Sequence, residues 1–458
     1  MARHLTRGRV FRDPVHDIIF IPATNLVILE LLETPAVQRL RRIRQLGLAH
    51  LVFPGAEHSR FIHSLGVQHL AGRILTRIRE QGEGDPEVVA TLERTTEVLA
   101  AALLHDIGHG PFSHTFENVL ARRLGSHEAW SRRIIQDSDN EVRRVLEHHG
   151  LDVDFVTDLI EGKAEDLLAQ DIVSSQLDAD RMDYLLRDSL MTGVAYGKID
   201  LEWILNVMRP GRAPDGRVRL GVDGVKGLHA VESYLFARRS IHLQVYHHRT
   251  VRAFEAMLAN LLCMGQAFLQ SGNTLPPGTP ASICCLLGDD PIDTRTFLAI
   301  DDSDIHMMLK AWGTEMGKSR NRGLAFELGR LSQALLRRDC LYSHIDLSHR
   351  PRVAATVAAQ VQAMVDRGDE ASFHVQFDDW ISTLYQSAQA ALEGGQKRQD
   401  AFAQVIPIVG KDNTVRPLEQ DAPWLDIMQD FPGRQARVYY DPEWEDQLAE
   451  VLETAREK

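Results

Sequence analysis

Residues 98–114 read VLAAALLHDIGHGPFSH, and this stretch decides the fold. Its seven leading apolar residues predict a buried helix that ends at the pair His105-Asp106. Two further histidines, His109 and His114, follow on a glycine-containing loop. At the end of a buried helix, an adjacent imidazole and carboxylate are costly unless an ion holds them together. The stretch therefore predicts a metal site.

The composition is that of a globular protein. The chain has 458 residues, of which 44% are hydrophobic, so it can bury one large core or two moderate ones. Its formal net charge of −13 argues against strong nucleic-acid binding, because that partner is held by surplus Lys and Arg. No apolar run approaches the roughly 20 residues of a membrane span, and the N-terminus lacks the apolar stretch of a secretory signal. We therefore expect a cytoplasmic protein with no membrane contact.

Apolar periodicity predicts a mainly α fold with a few short β-hairpins. Alternation around a proline-containing turn predicts one hairpin over residues 10–21. A Pro- and Gly-rich stretch, 270–280, separates a helical core of residues 1–270 from a mixed α+β C-terminal part of residues 271–458. The predicted helices span residues 26–33, 35–46, 65–81, 128–136, 141–148, 153–160, 165–171, 225–264, 354–367, 381–392 and 443–456, and the other predicted strands span 217–224, 405–409 and 436–440.

Further metal ligands must come from other parts of the chain. Two consecutive helical residues diverge by about 100° around the axis, so His105 and Asp106 can share an ion only above the helix end. Upstream, residues 57–66 contain two histidines beside an arginine. Downstream, residues 177–188 contain four aspartates. The candidates are His58, His63, Asp178, Asp180, Asp183 and Asp188.

The order of these residues resembles that of the HD-domain metal phosphohydrolases. Within that superfamily the chain is similar to the branch of the sterile alpha motif and HD domain deoxynucleoside triphosphate triphosphohydrolases and their bacterial relatives. The resemblance covers residues 9–250 and implies an HD-domain helical core with the metal ligands His63, His105, Asp106 and Asp180. It is carried by FPGA at residues 53–56, RF at 60–61, HSLGV at 63–67 and HDIGHGPFSH at 105–114.

Two imidazoles and two carboxylates suit iron, manganese, zinc or magnesium and leave positions open for water or a phosphate oxygen. We expect one such ion. A further hypothesis is that an additional magnesium ion accompanies the substrate phosphates. For catalysis the resemblance implies His109 and His127, with Glu117 as the acidic partner. The human relative has aspartate at the position of Glu117, which affects the expected pairing distance.

Several residues are candidates for gripping a nucleotide. Guanidinium groups bind two phosphate oxygens at once. Tyr184 and Asp188 follow Asp180 at intervals of four, on one helical face. The resemblance implies that these two residues meet the sugar and that others lie near the nucleotide, with His114 orienting its neighbours. The phosphate candidates are Arg60, Arg181 and Arg249, and the remaining nucleotide candidates are Gln45, Leu46, Arg238, His242 and Tyr246.

The resemblance implies hydrolysis of deoxynucleoside triphosphates to the deoxynucleoside and inorganic triphosphate. The motif alone warrants only phosphate-ester hydrolysis, so another nucleotide or alarmone phosphohydrolase is an alternative, as is a non-enzymatic nucleotide-sensing scaffold. Activation by GTP or a deoxynucleoside triphosphate is a further hypothesis, and we expect a homo-oligomer, either a dimer or a tetramer. The residues at the matching positions are Arg9, Glu33, Gln38 and Arg41.

Overall fold

The computed structural model describes residues 7–81, 84–112, 125–316, 323–382, 405–422, 424–425 and 433–456. The fold is mainly α, with a helical core, short hairpins and an α+β C-terminal part, as predicted. No described helix is long and apolar enough to cross a membrane. The helices are α1 (Leu26–Glu33), α2 (Pro35–Arg39), α3 (Arg60–Gln81), α4 (Pro86–Glu93), α5 (Thr95–Leu104), α6 (His127–Gln136), α7 (Glu141–His148), α8 (Val153–Glu161), α9 (Leu167–Val173), α10 (Ala179–Thr192), α11 (Leu201–Val207), α12 (Leu228–Ile241), α13 (Arg249–Gln270), α14 (Ala281–Leu287), α15 (Thr294–Leu298), α16 (Asp302–Glu315), α17 (Leu324–Arg337), α18 (Pro351–Arg367) and α19 (Ala449–Arg456).

The strands form three small sheets. The first is the predicted N-terminal hairpin. In the second, a hairpin of the helical core pairs in parallel with a strand from the C-terminal part. The third is antiparallel and lies wholly in the C-terminal part. In order within each sheet, the strands are β1 (Arg9–Asp13) and β2 (Asp17–Ile21); β3 (Met208–Arg212), β4 (Val218–Asp223), β7 (Pro407–Val409) and β8 (Val415–Pro417); and β5 (Ser343–Asp346), β9 (Gly433–Tyr440) and β6 (Val375–Ser382).

The main hydrophobic core surrounds α3 and α5. Every residue of α5 from Val98 to Leu104 is buried, which explains why this helix shows a continuous apolar run rather than one apolar stripe. Helix α3 packs against both α5 and α10. Helices α14 to α17 contribute to the same core, whereas α18, α19 and the third sheet enclose a second cluster. The division at residue 270 stays a prediction.

Four predicted helices differ most from the structure. The helix over 35–46 is wrong beyond residue 42, because the backbone of residues 43–45 bonds instead to residues 58–60. The long helix over 225–264 is two helices, α12 and α13, separated by a π-helical turn (His242–Tyr246) and an extended residue, His248. The last helix begins at Ala449, six residues later than predicted, after a 3-10 turn at Pro442–Trp444.

The fourth difference concerns the predicted helix over 381–392. Its first two residues end strand β6, where they pair with β9. The rest of this predicted helix lies outside the described residues.

Candidate metal centre

Three of the four predicted ligands converge from separate elements. His63 lies on the first turn of α3, His105 follows the last residue of α5, and Asp180 lies at the start of α10. The Nε2 atoms of the two histidines are 3.2 Å apart. The Oδ1 atom of Asp180 is 3.0 Å from Nε2 of His63 and 3.6 Å from Nε2 of His105. Their candidate ligand atoms all lie within 4.8 Å of one another, as a single ion requires.

Hydrogen bonds on the far side of each ring aim the Nε2 atoms at this point. Nδ1 of His63 lies 2.8 Å from the carboxylate of Asp183, and Nδ1 of His105 lies 2.9 Å from the carbonyl oxygen of Ala102. A ring that donates through Nδ1 in its neutral form presents a lone pair at Nε2. Two lone pairs and a carboxylate therefore face one another, and this donor set fits a cation.

The electrostatics of the group also favour a positive charge at its centre. Burial by itself lowers the pKa of His63, but hydrogen bonds to Asp180 and Asp183 raise it to about 10. Burial raises the pKa of Asp180, yet hydrogen bonds with His105 and His63 hold it well below its usual range. The carboxylates therefore stabilise a positive charge at this point, as they would stabilise a bound cation.

Asp106 lies beside this three-residue group. Its Oδ1 is 3.3 Å from Nε2 of His105, and its Oδ2 is 3.8 Å from Nε2 of His63. Nη1 of Arg60 donates to Oδ2 at 2.6 Å, and Nε2 of His109 lies 3.2 Å from Oδ1. Burial raises the pKa of Asp106, but the charges of Arg60, His105 and His109 hold it well below the usual value. Asp106 is therefore a carboxylate that also connects the ion site to Arg60 and His109.

The two predicted catalytic histidines lie together. The rings of His109 and His127 are stacked with their centroids 3.9 Å apart. Burial, together with the charge of Arg60, lowers the pKa of His109, which favours its neutral form. The other two predicted residues of this region, Glu117 and His114, lie outside the described residues.

The residues predicted to meet the sugar form an aromatic cluster around Asp188. The Tyr246 hydroxyl donates to the Asp188 carboxylate, and Nε2 of His58 lies 2.7 Å from its other oxygen. His58, an alternative upstream ligand, thus contacts Asp188 rather than the metal group. The ring of Tyr184 packs edge-on to those of His242 and Tyr246, with centroids 6.4 and 6.2 Å away.

The predicted phosphate-binding cations differ in environment. Arg181 is held by Asp178 at 2.7 Å. Arg249 is exposed at the first residue of α13. Arg238 is half-buried, and within the described part of the chain its buried Nη1 has no hydrogen-bond partner. Burial raises the pKa of the Tyr184 hydroxyl, and the positive charges of Arg238 and Arg181 oppose this rise. Both guanidinium groups are therefore close enough to Tyr184 to act on it electrostatically.

Gln45 and Leu46 follow the N-terminal helices. Gln45 donates its backbone N–H to the carbonyl of His58 at 2.9 Å, and its buried Oε1 has no partner among the described residues. Leu46 packs against the small apolar cluster of Ala49, Ala56 and Val251.

The four residues suggested for nucleotide activation form one connected patch. Arg9 pairs with Glu33, and Nε of Arg41 donates to Oε1 of Gln38 at 2.9 Å. The guanidinium of Arg41 also stacks over the ring of Phe61, 3.6 Å from its centroid. Burial lowers the pKa of Arg41, and the charge of Glu33 opposes this shift. Activation by a nucleotide at this patch stays a prediction.

Sequence reasoning missed the role of Asp183. Its carboxylate is fully buried and contacts His63, His16 and Arg187. Arg187 in turn binds Asp13 from strand β1 at 2.8 Å. The spacing of four between Asp183 and Arg187 is a signal for an ion pair on one helix. No local pattern connects either residue to Asp13 or His16, which lie about 170 positions earlier.

Buried imidazoles and carboxylates that converge on one point, with cationic side chains beside them, are the arrangement that a metal-dependent hydrolase of phosphate esters uses. The HD domain family model matches residues 60–188, which contain all four predicted ligands. The chain is 39% identical over 313 residues to the uncharacterized protein YwfO of Bacillus subtilis, a match that covers 68% of each chain. The chain belongs to the HD-domain phosphohydrolase superfamily.

Other relatives have named activities. The deoxynucleoside triphosphate triphosphohydrolase SAMHD1 homolog of Dictyostelium discoideum is 30% identical over 68% of this chain and 57% of its own length. Human SAMHD1 is 29% identical over 58% of this chain and 46% of its own length. The match thus spans about half the length of these relatives.

Solved structures share the fold over nearly the whole chain. A phosphohydrolase of Bacteroides thetaiotaomicron superposes with a TM-score of 0.72 at 27% identity, covering 94% of this chain and 99% of that one. A hypothetical protein of Aquifex aeolicus gives a TM-score of 0.68 at 25% identity, covering 97% and 100%.

Proposed function

We propose that the protein hydrolyses deoxynucleoside triphosphates to the deoxynucleoside and inorganic triphosphate in a metal-dependent reaction. The observation that carries the proposal is the convergence of His63, His105 and Asp180 on one point, beside Asp106 and Arg60. The SAMHD1 relatives support the choice of substrate, because their names state this activity.

His63, His105 and Asp180 would hold the ion, with Asp106 adjoining, and this set suits iron, manganese, zinc or magnesium. When bound, such an ion neutralises charge on a phosphate oxygen and lowers the pKa of water. An additional magnesium ion on the substrate phosphates is part of the proposal. The protein's own contribution is to aim both Nε2 atoms, through Asp183 and the Ala102 carbonyl, at the same point.

In the proposed step, the oxygen of water forms a bond to the α-phosphorus while the bond from that phosphorus to the 5′ oxygen breaks. The water loses a proton and the 5′ oxygen gains one, so the products are the deoxynucleoside and triphosphate. His109, kept neutral by burial and stacked on His127, is the group we assign to move this proton. Glu117 is the proposed acidic partner of His127.

Substrate binding is assigned to the residues around Tyr184. Arg238, whose buried Nη1 has no partner among the described residues, is the strongest candidate for a phosphate oxygen. Arg60, Arg181 and Arg249 are the other proposed phosphate ligands. The sugar is assigned to the cluster of Tyr184, Asp188 and Tyr246. The first two residues lie on α10, which also carries Asp180, and Tyr246 lies on the π turn.

The proposal is tested by incubating the protein with each canonical nucleotide and with iron, manganese, zinc or magnesium, and then separating the products by chromatography. We expect inorganic triphosphate and deoxynucleoside from the wild type and neither from His105→Ala. His229→Ala is the matched control, since that side chain is exposed and, among the described residues, pairs with Glu232 on its own helix.

Other products would overturn the proposal in a defined way. Orthophosphate or pyrophosphate would identify another nucleotide or alarmone phosphohydrolase. Tight nucleotide binding without any product would identify a nucleotide-sensing scaffold.

A further inference from the structure

The third sheet docks on the chain that joins α12 to α13, next to the proposed nucleotide pocket. From strand β9, Nη1 of Arg437 donates to the backbone carbonyl of His247 at 2.9 Å. From helix α13, Arg252 donates to both carboxylate oxygens of Asp378 on strand β6, at 2.9 and 2.8 Å. These two contacts bring β6 alongside the π turn.

Trp380 is the aromatic residue that β6 presents to this turn. Its indole is stacked on the ring of His247 with centroids 3.6 Å apart. It is also parallel within 5° to the ring of His242, at 5.7 Å. The His242 ring meets Tyr246 edge-on at 4.7 Å and Tyr184 at 6.4 Å. A continuous series of ring contacts therefore runs from the C-terminal sheet to the residue one turn after Asp180.

The rings of His242, Tyr246 and His247 lie on a segment where the regular α-helical backbone is interrupted. The turn His242–Tyr246 is a π-helical segment, and the N–H of His247 bonds to the His242 carbonyl at 3.0 Å instead of continuing the α-helical pattern. Such wide turns are usually short and are frequent at functional sites. Helix α12 ends immediately before the turn and α13 begins only at Arg249, so tertiary contacts must hold the side chains between them.

We propose that Trp380 is a positioning residue of the nucleotide pocket. Its indole fixes the His242 ring, and His242 fixes Tyr246 and Tyr184 against the sugar and base of a nucleoside triphosphate. The inference rests on the proposed function for the identity of the ligand, but the contacts between Trp380 and the turn do not depend on it. The C-terminal part therefore contributes to substrate recognition, whereas the proposed ligands His63, His105 and Asp180 lie in the helical core.

The test compares Trp380→Ala with Trp380→Phe, which keeps a ring at the same place. An aromatic pair contributes a modest free energy, so we expect Trp380→Ala to raise KM for a deoxynucleoside triphosphate about two- to tenfold while kcat changes less than about twofold. Trp380→Phe should have a KM close to the wild-type value, because it keeps an aromatic ring at this position.

Trp424→Ala is the matched control. Trp424 also comes from the C-terminal part and stacks on α12, at 4.9 Å from the ring of Phe236, but it lies away from the π turn. Its indole N–H donates to Glu232 at 2.5 Å. Replacing Trp424 with alanine therefore removes contacts comparable to those that Trp380→Ala removes. We expect its KM to match that of the wild type.

Hydrogen–deuterium exchange supplies a readout that needs no turnover. Backbone amides of residues 242–248 should exchange faster in Trp380→Ala than in the wild type or Trp424→Ala. If the wild type releases no triphosphate, the proposed function fails while this measurement still tests the positioning role. Unchanged KM and exchange in Trp380→Ala, or equal changes in Trp424→Ala, would overturn the inference.

Discussion

At the scale of single residues, Asp183 determines how the metal group is arranged. Its buried carboxylate lies 2.8 Å from Nδ1 of His63 and so fixes the direction of the opposite ring nitrogen. Burying a carboxylate is costly, and the bidentate contact from Arg187 at 2.8 and 2.9 Å offsets that cost. Asp13, on a distant strand, accepts a further hydrogen bond from Arg187 at 2.8 Å.

We predict that Asp183→Asn weakens both metal binding and stability. Loss of an outer hydrogen-bond partner of a metal-bound histidine typically lowers metal affinity about 10- to 100-fold. Removing one member of a buried charged network typically lowers the free energy of unfolding by about 3–5 kcal/mol. Calorimetric metal titration and chemical denaturation measure the two effects separately.

Asp171→Asn is the control for this prediction. Asp171 is also buried, and its carboxylate accepts from Arg219 at 2.7 and 2.8 Å, outside the metal group. It should lose a similar free energy of unfolding and bind metal with unchanged affinity. Equal losses of metal affinity in the two variants would show that Asp183 acts only through stability.

At the scale of elements, the site depends on how closely α3 approaches α10. Gly66 lies on α3, three residues after His63, where the two helices meet. A Cβ at this position would lie 1.9 Å from Oδ1 of Asp183 and 2.5 Å from Nη2 of Arg187. Only glycine allows the helices this close, because both contacted side chains are buried and held by other partners.

We predict that Gly66→Ala separates α3 from α10, displacing His63 from Asp180. Overpacking of this kind typically costs about 1–3 kcal/mol, and we expect metal affinity to fall with it. Gly72→Ala on the same helix is the control, since its Cβ would make an ordinary contact of 3.6 Å with Leu99. It should be neutral or stabilising by up to about 1 kcal/mol. Equal unfolding midpoints for the two variants would contradict this account.

The sequence predicted the bounds of helices and strands well where interactions between residues close in the chain determine them. Helices α1 and α7 have the predicted bounds, and the N-terminal hairpin is confirmed. The predicted helix over 35–46 is too long because a bridge between Arg44 and Ser59 takes its backbone bonds, a tertiary effect that periodicity does not register. The break at the π turn was missed for a related reason, since apolar spacing continues through it.

At the scale of the whole molecule, the motif residues could be predicted because family resemblance preserves their order in the chain. The residues that surround the site could not be predicted in this way. Asp302, at the start of α16, accepts a hydrogen bond from the backbone N–H of Phe112 at 3.2 Å, across 190 positions. Trp380 reaches His247, beside the π turn, from the C-terminal sheet. Contacts over such separations leave no periodic signal.

The central claim is that His63, His105 and Asp180 hold one ion. Elemental analysis of the purified, metal-reconstituted protein tests this claim most directly. We predict about one ion per chain in the wild type, loss of the ion in His63→Ala and Asp180→Ala, and retention in His58→Gln, because His58 contacts Asp188 instead. Retention of the ion in His63→Ala and Asp180→Ala, or its equal loss in His58→Gln, would contradict the claim.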